Sequence, residues 1–511
     1  MPRLRSQAIN IIASSASGLL LAAPFLFPSL FPLGWLFLLP LFWVVERAAN
    51  RRSIFFFGWL AGGTANLAGF YWLPYTITVF GGFPGGVSHI IFLIFAGLEA
   101  IRIGSFVLAV HFLGFGPLCL FPALLWIALE YWYPDLFPWQ LASSQSQLLS
   151  FIQSADLVGP YGTSFLLVWA NSAIYHALSR RRDGLARALR PVLVVALLVA
   201  AALFYGYRRL ETVSARMRAA PKLAVAVVQG NVGVGMKWDP VQAGRNLNSY
   251  KELTEVAGPA SLVIWPETAV EVWVPENLRQ LPPEILPPPP PGMDFFIFGA
   301  RSYRGDFAAA DARFFNSAFL TDRNGRVLGF YHKQVLLAFG EYIPFSRLLS
   351  KIPGVPPLGG FSEGEAPKTL DLAGGIRVAP LICYEDLMPF LARGFVREKG
   401  AHLLVNLTND AWYGDSAAPW QHARLSQWRA IETRRSLVRA TNTGLTALID
   451  ARGEIRQSLP LFAPGILRAE VELLEGETFY VRFGDWLPWL ATLFSLAVFL
   501  QRRRVWRKRE R

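Results

Sequence analysis

The chain is poor in the residues that build disulfide frameworks, metal centres and phosphate-binding loops. Its 511 residues include only two cysteines and six histidines. Cys119 lies inside an apolar run, so the two cysteines form no disulfide framework and do not indicate a redox compartment. The histidines show no spacing typical of metal ligands, and no glycine-rich phosphate loop is present. We therefore expect the protein to use neither a metal nor a cofactor.

Acidic residues are also scarce, 36 against 49 basic ones, and a net charge of +13 could suggest a nucleic-acid partner. The excess is confined to four segments, which together hold 17 basic and three acidic residues. These segments are residues 1–5, 46–52, 180–190 and 502–511. Each one flanks an apolar stretch, as cytoplasmic loops of membrane proteins do. The charge pattern therefore indicates membrane topology and argues against nucleic-acid binding.

Long apolar runs are abundant, and 53% of the residues are hydrophobic. Runs long enough to cross a bilayer indicate an integral membrane protein. The predicted spans are 8–26, 30–46, 54–79, 88–113, 116–131, 162–179, 190–207 and 484–501. The second and fifth are the weakest, because they are short or interrupted by proline. The first run resembles a signal peptide, but further spans follow, so we interpret it as an uncleaved membrane helix.

An eight-span topology places all four basic segments on one side of the membrane. It predicts an N-terminal membrane domain over residues 1–210 with about seven helices, a C-terminal helix over 484–501, and a basic cytoplasmic tail over 502–511. The region between the seventh and eighth spans then lies on the outer side. The positive-inside rule supports this arrangement, since an incorrect number of spans would scatter the basic segments across both sides.

The hydrophobic pattern of the chain changes at Lys222, where short apolar runs begin to alternate with polar and helical stretches. Such alternation is typical of an α/β domain, which we predict over residues 220–478. The predicted strands are 223–228, 262–265, 295–298, 376–383 and 402–407. Two hairpins are predicted in addition, one around Asn324-Gly325 and one around Arg452-Gly453.

Cys383 ends one of these apolar runs, a position at which a nucleophile is held rigidly at the rim of a sheet. Its acidic neighbours Glu385 and Asp386 would raise the pKa of the thiol. A nucleophilic cysteine would therefore need a cation and a base from elsewhere, and the segments around Glu267 and Lys333 can supply them. The alternative is that Cys383 is a buried packing residue, as free cysteines often are.

Three short motifs in this order resemble the Glu-Lys-Cys signature of the nitrilase superfamily. They are Trp265-Pro266-Glu267, His332-Lys333 and Cys383-Tyr384-Glu385, followed by the loop Asn409-Asp410-Ala411-Trp412-Tyr413-Gly414. On the membrane scaffold, the whole chain resembles the bacterial apolipoprotein N-acyltransferase family. Supporting matches are Gln229-Gly230-Asn231, the segment 236–240 and Phe339-Gly340-Glu341-Tyr342. The implied fold is a polytopic α-helical membrane domain with about eight transmembrane helices, carrying a periplasmic nitrilase-like α-β-β-α sandwich.

The resemblance implies a role for each residue of the signature. Cys383 would be the nucleophile, Glu267 the general base and Lys333 the group that stabilises the oxyanion, which is the set that acyl transfer through a thioester requires. Glu341 and Glu385 would support the site. The alternatives are that Glu341 is a solvated loop carboxylate and that Glu385 serves packing or a strand-end salt bridge.

Three aromatic residues, Tyr384, Trp238 and Trp412, would line the pocket or gate the entry of an acyl chain. In a chain with 14% aromatic residues, a core or interfacial position is an equally good interpretation. The apolar, proline-rich and glycine-rich segment Pro344–Phe361 would be a mobile arm beside the lipid entrance. Its alternative is a loop packed on its own domain.

The function implied by the resemblance is the last step of lipoprotein maturation in the bacterial inner membrane. An acyl chain would pass from a membrane phospholipid, commonly phosphatidylethanolamine, to Cys383. It would then pass to the α-amino group of the diacylglyceryl-cysteine at the N-terminus of a diacylated apolipoprotein. Two rival functions remain: a membrane-tethered amidase that transfers the acyl group to water, and a non-enzymatic transporter or scaffold whose outer domain only binds.

Overall fold

The structure is a computed structural model that describes residues 2–233, 235, 237, 240–286, 291–338, 340–342 and 360–509. The chain divides into two compact units. The first consists of Met1–Pro74, Gly86–Leu210 and Phe483–Arg511. The second consists of Tyr75–Gly85 and Glu211–Arg482, so a short segment from the N-terminal region groups with the α/β part of the chain.

The helices of the described chain alternate between long apolar ones and short connecting ones. In chain order they are α1 (Pro2–Leu26), α2 (Leu38–Arg47), α3 (Arg51–Gly69), α4 (Leu73–Val79), α5 (Gly85–Leu113), α6 (Phe121–Trp132), α7 (Leu149–Ile152), α8 (Ala155–Val158), α9 (Tyr161–Arg180), α10 (Leu185–Ala219), α11 (Pro240–Glu255), α12 (Pro389–Lys399), α13 (Ala418–Thr433), α14 (Phe479–Phe483) and α15 (Trp486–Arg509).

Among the described residues, four helical stretches are long and apolar enough to cross a membrane: Ser6–Leu26, Pro28–Arg47, Gly85–Leu113 and Leu185–Ala219. They coincide with the first, second, fourth and seventh predicted spans. Helices α6, α9 and α15 occupy the fifth, sixth and eighth predicted segments. The total of eight spans stays a prediction.

The prediction of one continuous helix over 54–79 is wrong. Helix α3 ends at Gly69, a turn follows at Phe70–Trp72, and α4 begins at Leu73. Pro74 explains the break, because a proline has no amide hydrogen to donate and its ring clashes with the carbonyl four residues earlier. The chain after the break, Tyr75–Gly85, belongs to the second unit.

Small residues let the helices of the first unit approach closely. A Cβ atom on Gly18 of α1 would lie 2.3 Å from the carbonyl oxygen of Ala61 in α3. A Cβ on Gly62 would lie 2.8 Å from the Cα of Ala100 in α5. Such contacts bring the helix backbones together, as is common where membrane helices pack without large side chains between them.

The described part of the second unit contains thirteen strands. They are β1 (Lys222–Gln229), β2 (Ala260–Ile264), β3 (Val270–Pro275), β4 (Met293–Arg304), β5 (Arg313–Asp322), β6 (Val327–His332), β7 (Leu370–Asp371), β8 (Arg377–Ile382), β9 (Leu403–Thr408), β10 (Ser436–Thr441), β11 (Ala447–Ile449), β12 (Ile455–Ser458) and β13 (Gly465–Glu472). All five predicted strands and both predicted hairpins, β5–β6 and β11–β12, are confirmed.

The strands form two sheets that pack face to face. One has the order β13-β1-β2-β4-β5-β6, with β3 also paired to β4, and the other has the order β12-β11-β10-β9-β8-β7. Residues of both sheets, such as Val225 and Leu381, belong to one fully buried hydrophobic core. Helix α11 covers the first sheet through Tyr250, and α12 covers the second through Phe395. The layers therefore follow the order helix, sheet, sheet, helix.

This topology brings the carboxyl ends of several strands together. Strand β2 leads to Glu267, β6 to Lys333, β8 to Cys383 and β9 to Asp410. Strands β8 and β9 run parallel in register, with Ile382 opposite Leu407. In sheets of this kind, ligands bind at the carboxyl ends of the strands. The fold thus gathers the predicted chemistry at one place.

Candidate active site

Cys383 lies at a sharp turn directly after β8. Its backbone adopts a left-handed conformation with φ of 53°, which is unfavourable for a residue other than glycine. The Asn406 side chain holds this turn by donating to the carbonyl oxygens of Leu381 at 3.3 Å and Cys383 at 2.9 Å. Backbone strain of this kind is typical of functional sites.

Glu267, Glu341 and Lys333 form one hydrogen-bonded group through Asn316. The amide nitrogen of Asn316 donates to Glu267 Oε1 at 2.7 Å and to Glu341 Oε1 at 2.9 Å. Glu341 Oε2 lies 2.7 Å from the Nζ atom of Lys333 and also accepts the Leu337 backbone amide at 2.9 Å. The side chains of Glu267, Glu341 and Lys333 are all buried. One amide therefore fixes the separation of two carboxylates beside one ammonium group.

The electrostatics of this group follow from burial and from the surplus of carboxylates. Burial raises the pKa of Glu267; Lys333 opposes this effect and Glu341 adds to it. Burial alone would lower the pKa of Lys333, but Glu341, Cys383 and Glu267 together raise it above its usual value. Lys333 is thus held as a cation, and Glu267 has increased affinity for a proton, which suits a general base.

The Cys383 thiol is held in its neutral form at rest. Burial raises its pKa, Glu267 adds to the increase, and Lys333 acts in the opposite direction. A thiol in this setting needs its proton removed at the moment of attack, because the thiolate is the nucleophile. The Glu267 carboxylate contributes to this raised pKa, which supports Glu267 as the acceptor of that proton.

Glu385 lies behind the site and ties three segments together. Its Oε1 accepts the Tyr331 hydroxyl at 2.8 Å and the backbone amides of Gln334 and Val335 at 2.6 and 3.1 Å. Its Oε2 accepts the Ile382 amide at 2.7 Å. Burial raises its pKa to about 7, whereas these donors favour the charged form. Glu385 therefore positions the segment after Lys333 against the turn that carries Cys383.

The predicted aromatic residues have different fates in the structure. The Trp412 ring meets Phe80 edge to face, with 4.6 Å between the ring centroids. Tyr384 is half-buried and packs against the hydrophobic core between the sheets. Trp238 and nearly all of the segment Pro344–Phe361 lie outside the described residues, so their predicted roles stay predictions.

Two buried residues next to Glu267 were missed by the sequence analysis. Asn316 lies in the middle of a long strand, β5, where no motif marks it. Lys237 donates from Nζ to the carbonyl oxygen of Glu267 at 3.1 Å, and burial lowers the pKa of this lysine to about 8. The segment 236–240 supports the family resemblance as a whole. The single lysine in it is the sequence feature that could have indicated a buried cation at the site.

A second buried charge cluster lies beneath Cys383 and was also missed. His422 of α13 faces Asp386 through Nε2 at 2.8 Å and Asp410 through Nδ1 at 3.1 Å. Arg439 of β10 forms an ion pair with Asp386 and lies 3.5 Å from Asp410 Oδ2. We call these four residues the acid–base quartet. The sequence feature that pointed to this cluster was the pair of acidic residues Asp386 and Asp410. The cluster was missed because their partners, His422 and Arg439, are distant in sequence.

Within the described residues, no group of three or more histidine, cysteine or acidic side chains is arranged to hold a metal ion. The chemistry of the site is instead that of a thiol, a carboxylate of raised pKa and a fixed ammonium group. The thiol can form a covalent acyl intermediate, the carboxylate can accept the proton of the thiol, and the ammonium group can stabilise the oxyanion of the tetrahedral intermediate.

Comparison with protein families gives two matches on this chain. Residues 17–173 match the apolipoprotein N-acyltransferase N-terminal domain. Residues 293–478 match the carbon-nitrogen hydrolase family, so the second unit has the nitrilase-like fold that the sequence predicted.

Similar proteins extend over most of the chain. An apolipoprotein N-acyltransferase of Geobacter metallireducens is 35% identical over 492 residues, which is 93% of this chain and 91% of that protein. One of Azotobacter vinelandii is 35% identical and covers 75% of this chain and 73% of its own length. Among solved structures, an amidase from Nesterenkonia sp. aligns with a TM-score of 0.35 at 19% identity, over 51% of this chain and 92% of that one.

Proposed function

The chain belongs to the apolipoprotein N-acyltransferase family, and on this premise we propose that it moves an acyl chain from a phospholipid to a lipoprotein through a thioester on Cys383. It is an acyltransferase of lipoprotein maturation with apolar helices suited to a membrane. The observation that carries the proposed chemistry is the hydrogen-bonded group of Glu267, Asn316, Glu341 and Lys333, two of whose charges act on the pKa of the Cys383 thiol.

In the first half of the reaction, Glu267 accepts the proton of the Cys383 thiol as the sulfur attacks an ester carbonyl of the phospholipid. Lys333 stabilises the oxyanion of the tetrahedral intermediate, an effect worth about 3 kcal/mol for a single donor. When the intermediate collapses, the lysophospholipid alcohol leaves and takes the proton back from Glu267. The products are a thioester on Cys383 and a lysophospholipid.

In the second half, the α-amine of the diacylated apolipoprotein attacks the thioester carbonyl. Glu267 accepts a proton from the amine, Lys333 again stabilises the oxyanion, and the carbon–sulfur bond breaks. The thiolate then receives the proton from Glu267, which restores the resting site. The net reaction is transfer of the acyl group to the amine, with an amide as product.

Two further features complete the proposal. The donor is a membrane phospholipid such as phosphatidylethanolamine, because an acyl ester embedded in a bilayer suits a site attached to membrane helices. The catalytic unit lies on the periplasmic side of the inner membrane, as the distribution of the four basic segments favours. The sequence signature and the charge pattern support both statements.

The experiment uses the purified full chain with phosphatidylethanolamine and a synthetic diacylated lipopeptide. Mass spectrometry should show the lipopeptide gaining one acyl chain and an equal amount of lysophospholipid. Cys383→Ala should give no product, whereas Cys119→Ala, which removes the other buried cysteine, should leave the yield unchanged. Free fatty acid formed at the rate of phospholipid loss, with no acylated lipopeptide, would identify an amidase and overturn the proposal.

A further inference from the structure

Thr408 is a buried residue that lies beside the nucleophile in strand register and hydrogen bonds to the acid–base quartet. It ends β9, one position beyond Leu407, which pairs with Ile382 at the end of β8. The parallel register therefore places Thr408 beside Cys383. Hydrogen bonding by its side chain would lower the pKa of the Cys383 thiol, against the larger effect of burial. Its Oγ1 also lies 3.3 Å from Asp410 Oδ1.

The Thr408 hydroxyl has one proton, so it can donate to one of these two acceptors at a time. Asp410 does not depend on this donor. His422 Nδ1 lies 3.1 Å from its Oδ1, and Arg439 Nη2 lies 3.5 Å from its Oδ2. When the hydroxyl turns towards sulfur, Asp410 Oδ1 therefore keeps His422 as a hydrogen-bond donor.

The four residues of the quartet stay charged when the Thr408 hydroxyl rotates. Both ring nitrogens of His422 face carboxylates, so both act as donors and the ring is an imidazolium. Burial lowers the pKa of His422, but Asp386 and Asp410 outweigh it and raise the pKa to about 9. Two carboxylates are then balanced by His422 and Arg439, which limits the repulsion that Asp410 exerts on a nearby thiolate.

We infer that Thr408 is a switchable hydrogen-bond donor for the nucleophile, resting on Asp410 in the thiol and acyl-enzyme states and turning to the sulfur when Cys383 is a thiolate. The inference builds on the proposed thioester chemistry. When Glu267 takes the thiol proton, the hydroxyl donates to the sulfur anion. When the carbon–sulfur bond forms, the anion disappears and the hydroxyl returns to Asp410.

The test measures alkylation of Cys383 by iodoacetamide, followed by peptide mass spectrometry, in the full-length enzyme carrying Cys119→Ala. Thr408→Val has the same shape without the hydroxyl and should alkylate about tenfold more slowly between pH 6 and 9, since a hydrogen bond to a charged group favours it by a unit of pKa or more. Thr408→Ser keeps the hydroxyl and should restore the rate.

Thr441→Val is the matched control. Thr441 lies directly opposite Thr408 on β10 and is equally buried, but its hydroxyl bonds to Gln229 and Thr446. This variant should alkylate as the parent does. Equal rates for Thr408→Val and the parent, or equal losses for the two valine variants, would overturn the inference, as would failure of Thr408→Ser to restore the rate. No lipid is present, so the result is separate from whether Cys383 accepts an acyl chain.

Discussion

At the scale of single residues, three buried carboxylates share one site and differ in their partners. Glu267 accepts one hydrogen bond from Asn316 and has a raised pKa. Glu341 forms an ion pair with Lys333. Glu385 accepts hydrogen bonds mainly from backbone amides that hold the surrounding turns. The partners therefore support the proposed roles of proton transfer for Glu267, charge balance for Glu341 and positioning for Glu385.

Substitution of the two carboxylates nearest the thiol should separate base from charge partner. Glu267→Gln removes the proton acceptor and should slow thioester formation on Cys383 by on the order of a hundredfold. Glu341→Gln keeps an oxygen that can face Lys333, so this variant should reduce the rate of thioester formation clearly less than Glu267→Gln does. Both rates are measured by intact mass after mixing with phospholipid. An equal or larger loss for Glu341→Gln would move the base to that residue.

His422 should give the protein a pH-dependent stability. Its pKa in the folded chain is about 9, against an ordinary value of 6.5, so its contribution is fully present below about pH 6.5 and is lost as pH rises through 9. The difference corresponds to about 3 kcal/mol. The melting temperature of wild type should exceed that of His422→Gln most at pH 6.5, and the gap should narrow by pH 9. A gap that does not change with pH would contradict a charged His422.

The sequence was sufficient to predict the residues that lie in short ordered motifs, namely Glu267, Lys333, Cys383 and their acidic neighbours. It was not sufficient for Asn316 and Thr408. Strand register brings both residues to the site. Asn316 lies in β5, which pairs with β4, and Thr408 lies one position beyond the last β8–β9 pair. A single sequence does not reveal register between distant strands, so their polar side chains look like ordinary strand residues.

At the scale of elements, the segment Tyr75–Gly85 packs against the loops that carry the site. Phe80 meets Trp412, and a Cβ atom added to Gly340 would lie 2.4 Å from the Phe80 ring. Gly340 directly precedes Glu341. The glycine thus makes room for an aromatic ring beside a residue of the charged group, and the segment helps to hold the loop that positions Glu341.

This contact predicts a compensating pair of substitutions. Gly340→Val should displace Phe80 or the loop and slow acyl transfer about tenfold or more, because overpacking of a tight contact costs roughly 1–3 kcal/mol. Phe80→Ala in the same chain removes the ring and should recover most of the rate. The acylated lipopeptide formed per minute is the readout. No recovery in the double variant would show that Gly340 is needed for its backbone instead.

The break between α3 and α4 shows what apolar composition does not reveal. Residues 54–79 are apolar enough to be predicted as one helix, yet Pro74 ends it and Tyr75–Gly85 joins the catalytic unit. In the α/β region, strands β3, β7, β10 and β13 were missed. Strand β10 was not predicted because Arg439 and its polar neighbours interrupt the apolar pattern. In the fold, Asp386 of the quartet balances the charge of Arg439.

At the scale of the whole molecule, the chain combines apolar helices with a nitrilase-like unit, and the charge pattern assigns their sides. The four basic segments account for the net positive charge and flank apolar stretches. The positive-inside rule then predicts that the tail after residue 502 is cytoplasmic and that the catalytic unit is periplasmic.

Reporter fusions test this topology. Alkaline phosphatase, active only in the periplasm, should be active when inserted near Pro288 and inactive when fused after Arg511. A fluorescent protein that fails to mature in the periplasm should give the opposite pattern. Either reporter active at both positions would contradict the eight-span topology, and fluorescence at both would place the catalytic unit in the cytoplasm.

The central claim is that Cys383 carries the acyl chain between two substrates. Purified wild type incubated with phospholipid alone should gain the mass of one acyl chain, located on Cys383 by peptide mapping, because no amine is present to accept it. Addition of a diacylated lipopeptide should then remove that mass and produce an equal amount of acylated lipopeptide. An unchanged mass on wild type, or the same adduct and turnover on Cys383→Ala, would contradict the account.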